Sequence, residues 1–181
     1  MTAEFDVLAI GNAIVDVLAQ TTDEFLEAEG IAKGSMRLIP AEEASALYAK
    51  MGPGREVSGG SAANSCAGVA ALGGKAAFIG RVSDDQLGSV FAHDIRAVGV
   101  DFQTPPAKGG PPTGQCLILV SPDGQRTMNT YLGSCQEVDE GDVDENRVRA
   151  AKVTYIEGYL WDPAAPIRAC TKALAVAKAA G

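Results

Sequence analysis

The sequence predicts an α/β fold with a largely parallel sheet, and three observations carry that expectation. Short apolar runs with β-branched or aromatic centres recur along the chain, from Phe5 to Ile10, Ala76 to Val82 and Lys152 to Gly158. Helical stretches alternate with them, most clearly Leu87, Val90, Phe91, Ile95 and Val98 at i, i+3, i+4 spacing. Between the first two runs lies Val57 to Gly74, an uncharged stretch whose helical part is dominated by Ala, Ser and Cys. A helix with so little bulk can only pack close against a sheet.

The elements follow in order. Phe5 to Ile10 reads as a buried strand ending at Gly11, and Val17-Leu18-Ala19 continues an extended pattern after Asn12 and Asp16. Thr22 or Asp23 caps a short helix to Glu29 that Gly30 stops. Met36 to Ile39 reads as a strand, and Pro40 opens a helix with Leu47 and Tyr48 on its apolar side. Arg55 to Ser58 is a short extended lead into the small-residue helix. After the strand from Ala76, Ser83 or Asp84 caps the next helix, which Gly99 ends. The segments from Gln115 to Val120 and Arg126 to Leu132 flank Ser121-Pro122-Asp123-Gly124-Gln125, a hairpin turn. That hairpin belongs either to the core sheet or to a half-exposed flap. Glu137 to Glu145 is an acidic connection without the spacing of a calcium loop, and Asp142 or Asp144 caps a short helix beyond it. Pro163 and Pro166 begin an Ala-rich helix that reaches Ala180, with Gly181 in place to cap it. The strand to which a crossover after that helix would return is absent, so the chain reads as the N-terminal part of a larger domain.

A chain of 181 residues can bury a real core. Its net charge of −8 speaks against nucleic acid as a partner, because phosphate binding needs clustered Lys and Arg. No secretory pattern opens the sequence, and the uncharged central stretch is too rich in Ser, Asn and Gly to span a membrane. Four scattered cysteines without a C-x-x-C pair fit reduced thiols in a cytoplasmic protein. His93 is the single histidine, which leaves no His-rich metal site and little scope for a Ser-His-Asp mechanism. No metal ligand set is expected.

The chemistry-bearing residues gather at the ends of predicted strands. Asn12 and Asp16 flank the turn after the first strand, where open α/β sheets place their ligands. A carboxylate there accepts hydrogen bonds from vicinal hydroxyls, and an Asn amide both donates and accepts. Gly59-Gly60 precedes the small-residue helix, whose first turn carries Ser61 and Asn64. Paired glycines let a ligand approach the unpaired N–H groups of a helix start. The glycines are not followed by Gly-Lys-Ser/Thr, and no G-x-G-x-x-G follows the first strand, so neither a P-loop nor a dinucleotide fold is indicated. The set suits a neutral polyhydroxyl, held by Ser61, Asn64 and backbone N–H groups with Asp16 opposite.

Taken together, these residues resemble the PfkB family of carbohydrate kinases, of ribokinase-like fold. Gly59-Gly60-Ser61-Ala62-Ala63-Asn64, then Gly73 and Phe78-Ile79-Gly80, resembles the family's N-terminal signature, and Asp84-Asp85-Gln86-Leu87-Gly88 its next block. Cys66 and Ser83 depart from it, standing where Ser, Thr or Ala and where Gly are usual. Gly11 to Asp16, Pro112 to Cys116, Asn129 to Leu132 and Ile156 to Tyr159 resemble the adenosine kinase branch. The resemblance implies a mostly parallel sheet flanked by helices with a small β lid, supplied by strands near 15–19, 36–39 and 115–132. It implies that Asp16 holds two ribose hydroxyls, with Gly59, Gly60 and Asn64 completing the sugar site. Asn12, Cys116, Met128, Thr130 and Leu132 would line a nucleoside pocket, and Arg126 would approach the transferred phosphate. The activity implied is ATP-dependent phosphorylation of a nucleoside 5′-hydroxyl, adenosine first, or of a related sugar's hydroxymethyl. ATP and Mg2+ would serve the complete enzyme. The family's second signature, Asp-Thr-x-Gly-Ala-Gly-Asp, carries the catalytic base and does not occur in these residues. The resemblance therefore places the base C-terminal to Gly181, and no residue of this chain is a catalytic candidate. The chain alone is expected to be inactive. A non-catalytic nucleoside- or sugar-binding module, or an inactive truncated fragment, is the alternative expectation. A dimer would form through the lid strands or an exposed sheet edge.

Overall fold

A computed structural model describes residues 3–181. The elements are β1 (Phe5–Ile10), β2 (Ile14–Gln20), α1 (Asp23–Ala28), β3 (Met36–Leu38), α2 (Ala41–Lys50), β4 (Gly54–Gly59), α3 (Ser61–Ala71) and β5 (Ala76–Ile79). They continue with α4 (Gln86–Ala97), β6 (Asp101–Phe102), β7 (Gly114–Val120), β8 (Arg126–Tyr131), α5 (Glu145–Arg149), β9 (Ala151–Ile156) and α6 (Ala164–Ala180). The strands sort into two sheets. One is parallel, in the order β6-β5-β1-β9; the other has five strands in the order β3-β8-β7-β2-β4. In the second, β2 runs parallel to β7 and antiparallel to β4, while β8 is antiparallel to β7 and parallel to β3.

Thus the hairpin lies in the separate mixed sheet, not in the parallel one. The strands expected near 15–19, 36–39 and 115–132 are joined there by β4, which the sequence suggested only as a lead into the helix. Pairing with β2 from Ile14 opposite Gly59 to Ala19 opposite Gly54 makes it a full strand. The chain therefore leaves the parallel sheet after Ile10, crosses to the mixed sheet, and re-enters at α3 directly from β4.

A continuous core joins the two sheets. Val15, Val17, Leu117 and Leu119 of the mixed sheet belong to one buried cluster with Ala62, Ala63 and Cys66 of α3 and with Phe78, Phe91 and Phe102. Ring centroids of that aromatic trio lie 5.3 to 6.0 Å apart. Truncating one such ring to Ala costs about 3–5 kcal/mol. An exposed ion pair, such as Arg149 with Glu145, contributes at most about 1 kcal/mol. Cohesion therefore resides in the apolar layer. On the opposite face of the parallel sheet, Leu8, Ile10, Ala77 and Ile79 pack against Val148, Leu160, Ala169 and Cys170 from the α5–α6 side.

Several local assignments differ from the sequence reading. Tyr48 and Val98 are exposed, at 49% and 45%, although they sit at apolar positions of their helices. Each lies at the margin of a stripe that Leu47 and Ile95 already fill. Thr22 caps α1 by accepting from the Phe25 N–H, and Asp144 caps α5. Gly181 is the C-cap of α6, as its position suggested, with a φ of +90° that glycine adopts freely. The acidic connection is pinned: Arg81 Nη1 donates to the Glu137 carbonyl and to the Asp139 and Asp142 carboxylates at 2.8 to 3.1 Å.

The cap of α4 is Asp85, not Ser83 or Asp84. Its Oδ1 accepts from the Gly88 N–H (2.7 Å) and the Thr113 hydroxyl (2.7 Å), and its Oδ2 from the Thr113 N–H (2.8 Å). Thr113 Oγ1 in turn accepts the Ser83 N–H at 2.9 Å. One carboxylate thus caps a helix and fixes the residue from which β7 starts. The two departures from the family signature are also accommodated, since Ser83 Oγ donates to the Pro111 carbonyl and Cys66 Sγ to that of Ala77. We expect Asp85→Ala to cost about 2–3 kcal/mol, a lost cap plus a buried N–H left unpaired, with Asp85→Asn losing less. Urea unfolding midpoints of the two variants check this.

Candidate functional site

The site forms where β1 and β9 end and α3 begins. Gly60 caps α3 in the left-handed region at φ +94°, and a Cβ there would collide with the Asn12 carbonyl oxygen. A glycine is required, because only it joins that backbone angle to so close an approach. The contact brings the turn after β1 and the start of α3 into van der Waals range. Gly59 serves a different purpose. A Cβ on it would lie 2.5 to 2.6 Å from the carboxylate atoms of Asp16, so that carboxylate rests directly over the glycine backbone.

Asp16 is half-buried on β2 with no ion-pair partner among the described residues. Burial pushes its carboxyl from the ordinary 3.8 up to about 6, and the charge of Arg126 opposes part of that rise. A carboxylate held in this way is undersupplied with donors and suited to receiving them from a ligand's hydroxyls.

Strand register places the remaining predicted residues. Asp16 stands opposite Cys116, Cys116 opposite Thr130, and Ile118 opposite Met128. Paired residues share a sheet face, so Asp16, Cys116, Met128 and Thr130 all look the same way. Ile14, Cys116, Ile118 and Cys135 form a small cluster there, with Met128 and Leu132 packed against it. The Thr130 hydroxyl donates to Cys116 Sγ at 3.2 Å, and burial raises that thiol to about 11. Cys116 is therefore a neutral wall. Arg126 is exposed at the hairpin end of the same face, opposite Val120. Ser61 and Asn64 are exposed on the first turn of α3, and Asn12 is buried. Asn12, Asp16, Gly59 and Gly60 therefore meet at one place, with Ser61 and Asn64 on the first turn of the helix that starts there and the apolar face of the mixed sheet beside it. Gly181, beyond which the catalytic base is expected, is exposed at the end of α6 and is not one of the residues gathered there.

Glu157 belongs here, and the sequence reading assigns it no role of its own. It follows β9, is 3% exposed, and accepts the Asn12 N–H on Oε1 (2.6 Å) and the Ala62 N–H on Oε2 (2.9 Å). Its signal is a lone carboxylate directly after a strand; Asp16, expected beside the turn after the first strand, instead lies within β2 and is marked by its place over Gly59. Two surface clefts of about 250 and 420 Å³ lie elsewhere, and none of the predicted site residues lines either one.

A parallel α/β sheet with a mixed sheet beside its carboxyl ends, and an aspartate facing a glycine pair at a helix start, defines a ribokinase-like small-molecule kinase fold. Residues 24–181 match the model of the pfkB family carbohydrate kinases. The chain belongs to that family. It is 56% identical to the adenosine kinase from Sinorhizobium meliloti, with a TM-score of 0.90 over 99% of this chain and 55% of that one. Against a probable sugar kinase from Rhizobium etli CFN 42 the identity is 52% and the TM-score 0.92, with the same coverage of 99% and 55%. A 5-dehydro-2-deoxygluconokinase from Shouchella clausii is 31% identical over 98% of this chain and 49% of its own. The chain thus spans about half the length of these relatives.

The burial of Asp16 makes a stability prediction independent of any ligand. A carboxyl raised from 3.8 to about 6 favours the protonated form in the folded state. Its contribution is fully present below pH 4 and is lost as pH rises through 6. We expect Asp16→Asn to stabilise the protein above pH 6 by about 1–2 kcal/mol, reduced from a full two-unit shift by solvent screening, and to change little below pH 4. Thermal unfolding of both proteins across pH 4 to 8 checks this.

Proposed function

We propose that this chain supplies the substrate-binding half of an ATP-dependent kinase that phosphorylates the 5′-hydroxyl of a nucleoside, with adenosine the first candidate. A related sugar bearing a hydroxymethyl group is the wider class. The observation that carries this is the Asp16 carboxylate resting over Gly59 at the carboxyl ends of the parallel strands. An ionised carboxylate over bare backbone accepts from two neighbouring hydroxyls at once, as a ribose presents them.

The surroundings support the same reading. Glu157 already receives an N–H at the start of α3, so the positive end of that helix faces an internal carboxylate and favours an uncharged sugar over a phosphate. The face formed by Ile14, Cys116, Ile118, Met128 and Leu132 is apolar, apart from the Thr130 hydroxyl engaged with Cys116, and suits a base lying flat against it. In this proposal the mixed sheet is the lid that keeps water from the reacting hydroxyl. Asn12 and Asn64 add hydrogen-bonding groups to the sugar edge, and Arg126 approaches the transferred phosphate. The likeness to the adenosine kinase from Sinorhizobium meliloti supports that choice of nucleoside.

ATP and Mg2+ are expected of the complete enzyme, where the cofactor supplies the phosphoryl group and the metal neutralises its charge. Among the described residues no three His, Cys, Asp or Glu side chains converge to hold a metal ion, and no residue of this chain is assigned to either. The catalytic base belongs, in this proposal, to sequence that follows Gly181. The chain's own part is to bind, orient and desolvate the sugar.

A screen of nucleosides and sugars against the protein at its full encoded length, reading ADP formation, tests the proposal. Turnover with adenosine or a related sugar is expected, and Asp16→Ala should lower kcat/KM by roughly 100- to 1,000-fold through two lost charge-assisted hydrogen bonds. Absence of ADP formation with every nucleoside and sugar would sink it. The 181-residue chain by itself is expected to give no turnover.

A further inference from the structure

Glu157 presents a problem that packing does not explain. Its carboxylate is almost fully buried, and no Lys or Arg lies within ion-pair distance of it among the described residues. Burying a carboxylate without a cation is costly, and an apolar residue of similar volume would fill the space at less expense. What the carboxylate does that an apolar group cannot is accept two N–H groups from different segments. Oε1 takes Asn12, in the turn after β1, and Oε2 takes Ala62, in the first turn of α3. These two segments carry the facing walls of the sugar site.

The surrounding geometry leaves that bridge no slack. A Cβ on Gly11 would lie 2.8 Å from the Glu157 carboxylate and 2.5 Å from the Ala62 Cβ, so the end of β1, the start of α3 and the end of β9 are in mutual contact. Immediately beside this point the Gly60 backbone meets the Asn12 carbonyl. The remaining titratable groups near the carboxylate are the thiols of Cys135, in the turn after β8, and Cys170, on α6, and burial keeps both neutral. Among the described residues no charged side chain shifts the Glu157 carboxyl: burial raises it, and the Asn12 and Ala62 N–H groups oppose that rise.

We propose that Glu157 is a positioning residue for the substrate site, whose two accepted hydrogen bonds fix the spacing between Asn12 and the Gly60–Asn64 turn. The proposal rests on the sugar-site reading above and adds a residue to it that never touches the substrate. Two donors, each on its own oxygen, are fully matched only by the ionised carboxyl. Gln keeps the shape but turns an NH2 toward one of the donors, and Asp keeps the charge but is one methylene too short to reach both.

The test uses the protein at its full encoded length, with adenosine and ribose as probes. Glu157→Gln and Glu157→Asp are each expected to weaken binding of the probe by about tenfold or more in calorimetry while circular dichroism stays native. In wild-type protein the Asn12 and Ala62 amide resonances are expected to move together with pH through one midpoint, and in Glu157→Gln both lose that movement. A residue that only stabilises the fold would lower the melting temperature and leave probe affinity in the folded variant unchanged, which overturns the proposal. Amides that titrate at separate midpoints, or do not titrate, overturn it too. Should Glu157→Gln fail to fold, probe affinity in folded Glu157→Asp decides between positioning and a purely structural role. Should wild type bind neither probe, the sugar-site reading fails while the shared titration still establishes or removes the bridge.

Discussion

The structure depends on how closely the start of α3 approaches the end of β1. At Gly60 the helix backbone sits against the Asn12 carbonyl, with no room for a side chain. A step away, Ala62 and Asn12 direct their N–H groups at the single buried carboxylate of Glu157. Helix starts carry unpaired donors and a positive dipole, and such ends are stable inside a protein only when something accepts those donors. Here the acceptor comes from the end of β9, more than 90 residues later in the chain. Two strands of the parallel sheet and one helix start therefore converge on one point, and the site is built on that point.

The same approach explains the composition of α3. Ala62, Ala63 and Cys66 are its buried residues, and larger side chains would hold the helix too far from β1 and β5 for the Gly60 contact to form. The bulk missing from α3 is made up by Phe78, Phe91 and Phe102, which fill the layer beneath α4. Small residues at the site and aromatic residues beside it are two halves of one packing solution.

The mixed sheet has two different faces, and its register assigns them. Val15, Val17, Leu117 and Leu119 turn inward to the shared core, while Ile14, Asp16, Cys116 and Ile118 turn the other way. A one-residue slip in β2 would bury Asp16 in that core and expose Val15 and Val17. Pairing along the whole of β2, with β4 on one edge and β7 on the other, guards against the slip. In this way the position of one carboxylate becomes a property of the whole sheet.

Much of this was legible in the residues. The apolar runs, the helical spacing of Phe91 and Ile95 and the Ser121–Gln125 turn pointed to the strands, the helix and the hairpin, because local periodicity and turn chemistry are written along the chain. Asn12, Asp16, Gly59, Gly60 and Asn64 were legible as a group because polar and glycine residues at strand ends are informative by position. The sequence left open whether the hairpin belonged to the core sheet, and it did not reveal β4 as a strand or Glu157 as a bridge. Each depends on a partner distant in sequence: β4 on β2, the hairpin on β2 and β3, Glu157 on Asn12 and Ala62. The sequence by itself determined most of the helices and strands and the chemical character of the candidate site residues. Tertiary structure alone decided which sheet each strand joined and which buried group meets the helix start, because hydrogen-bond partners across long separations leave no periodic trace in the residues that form them.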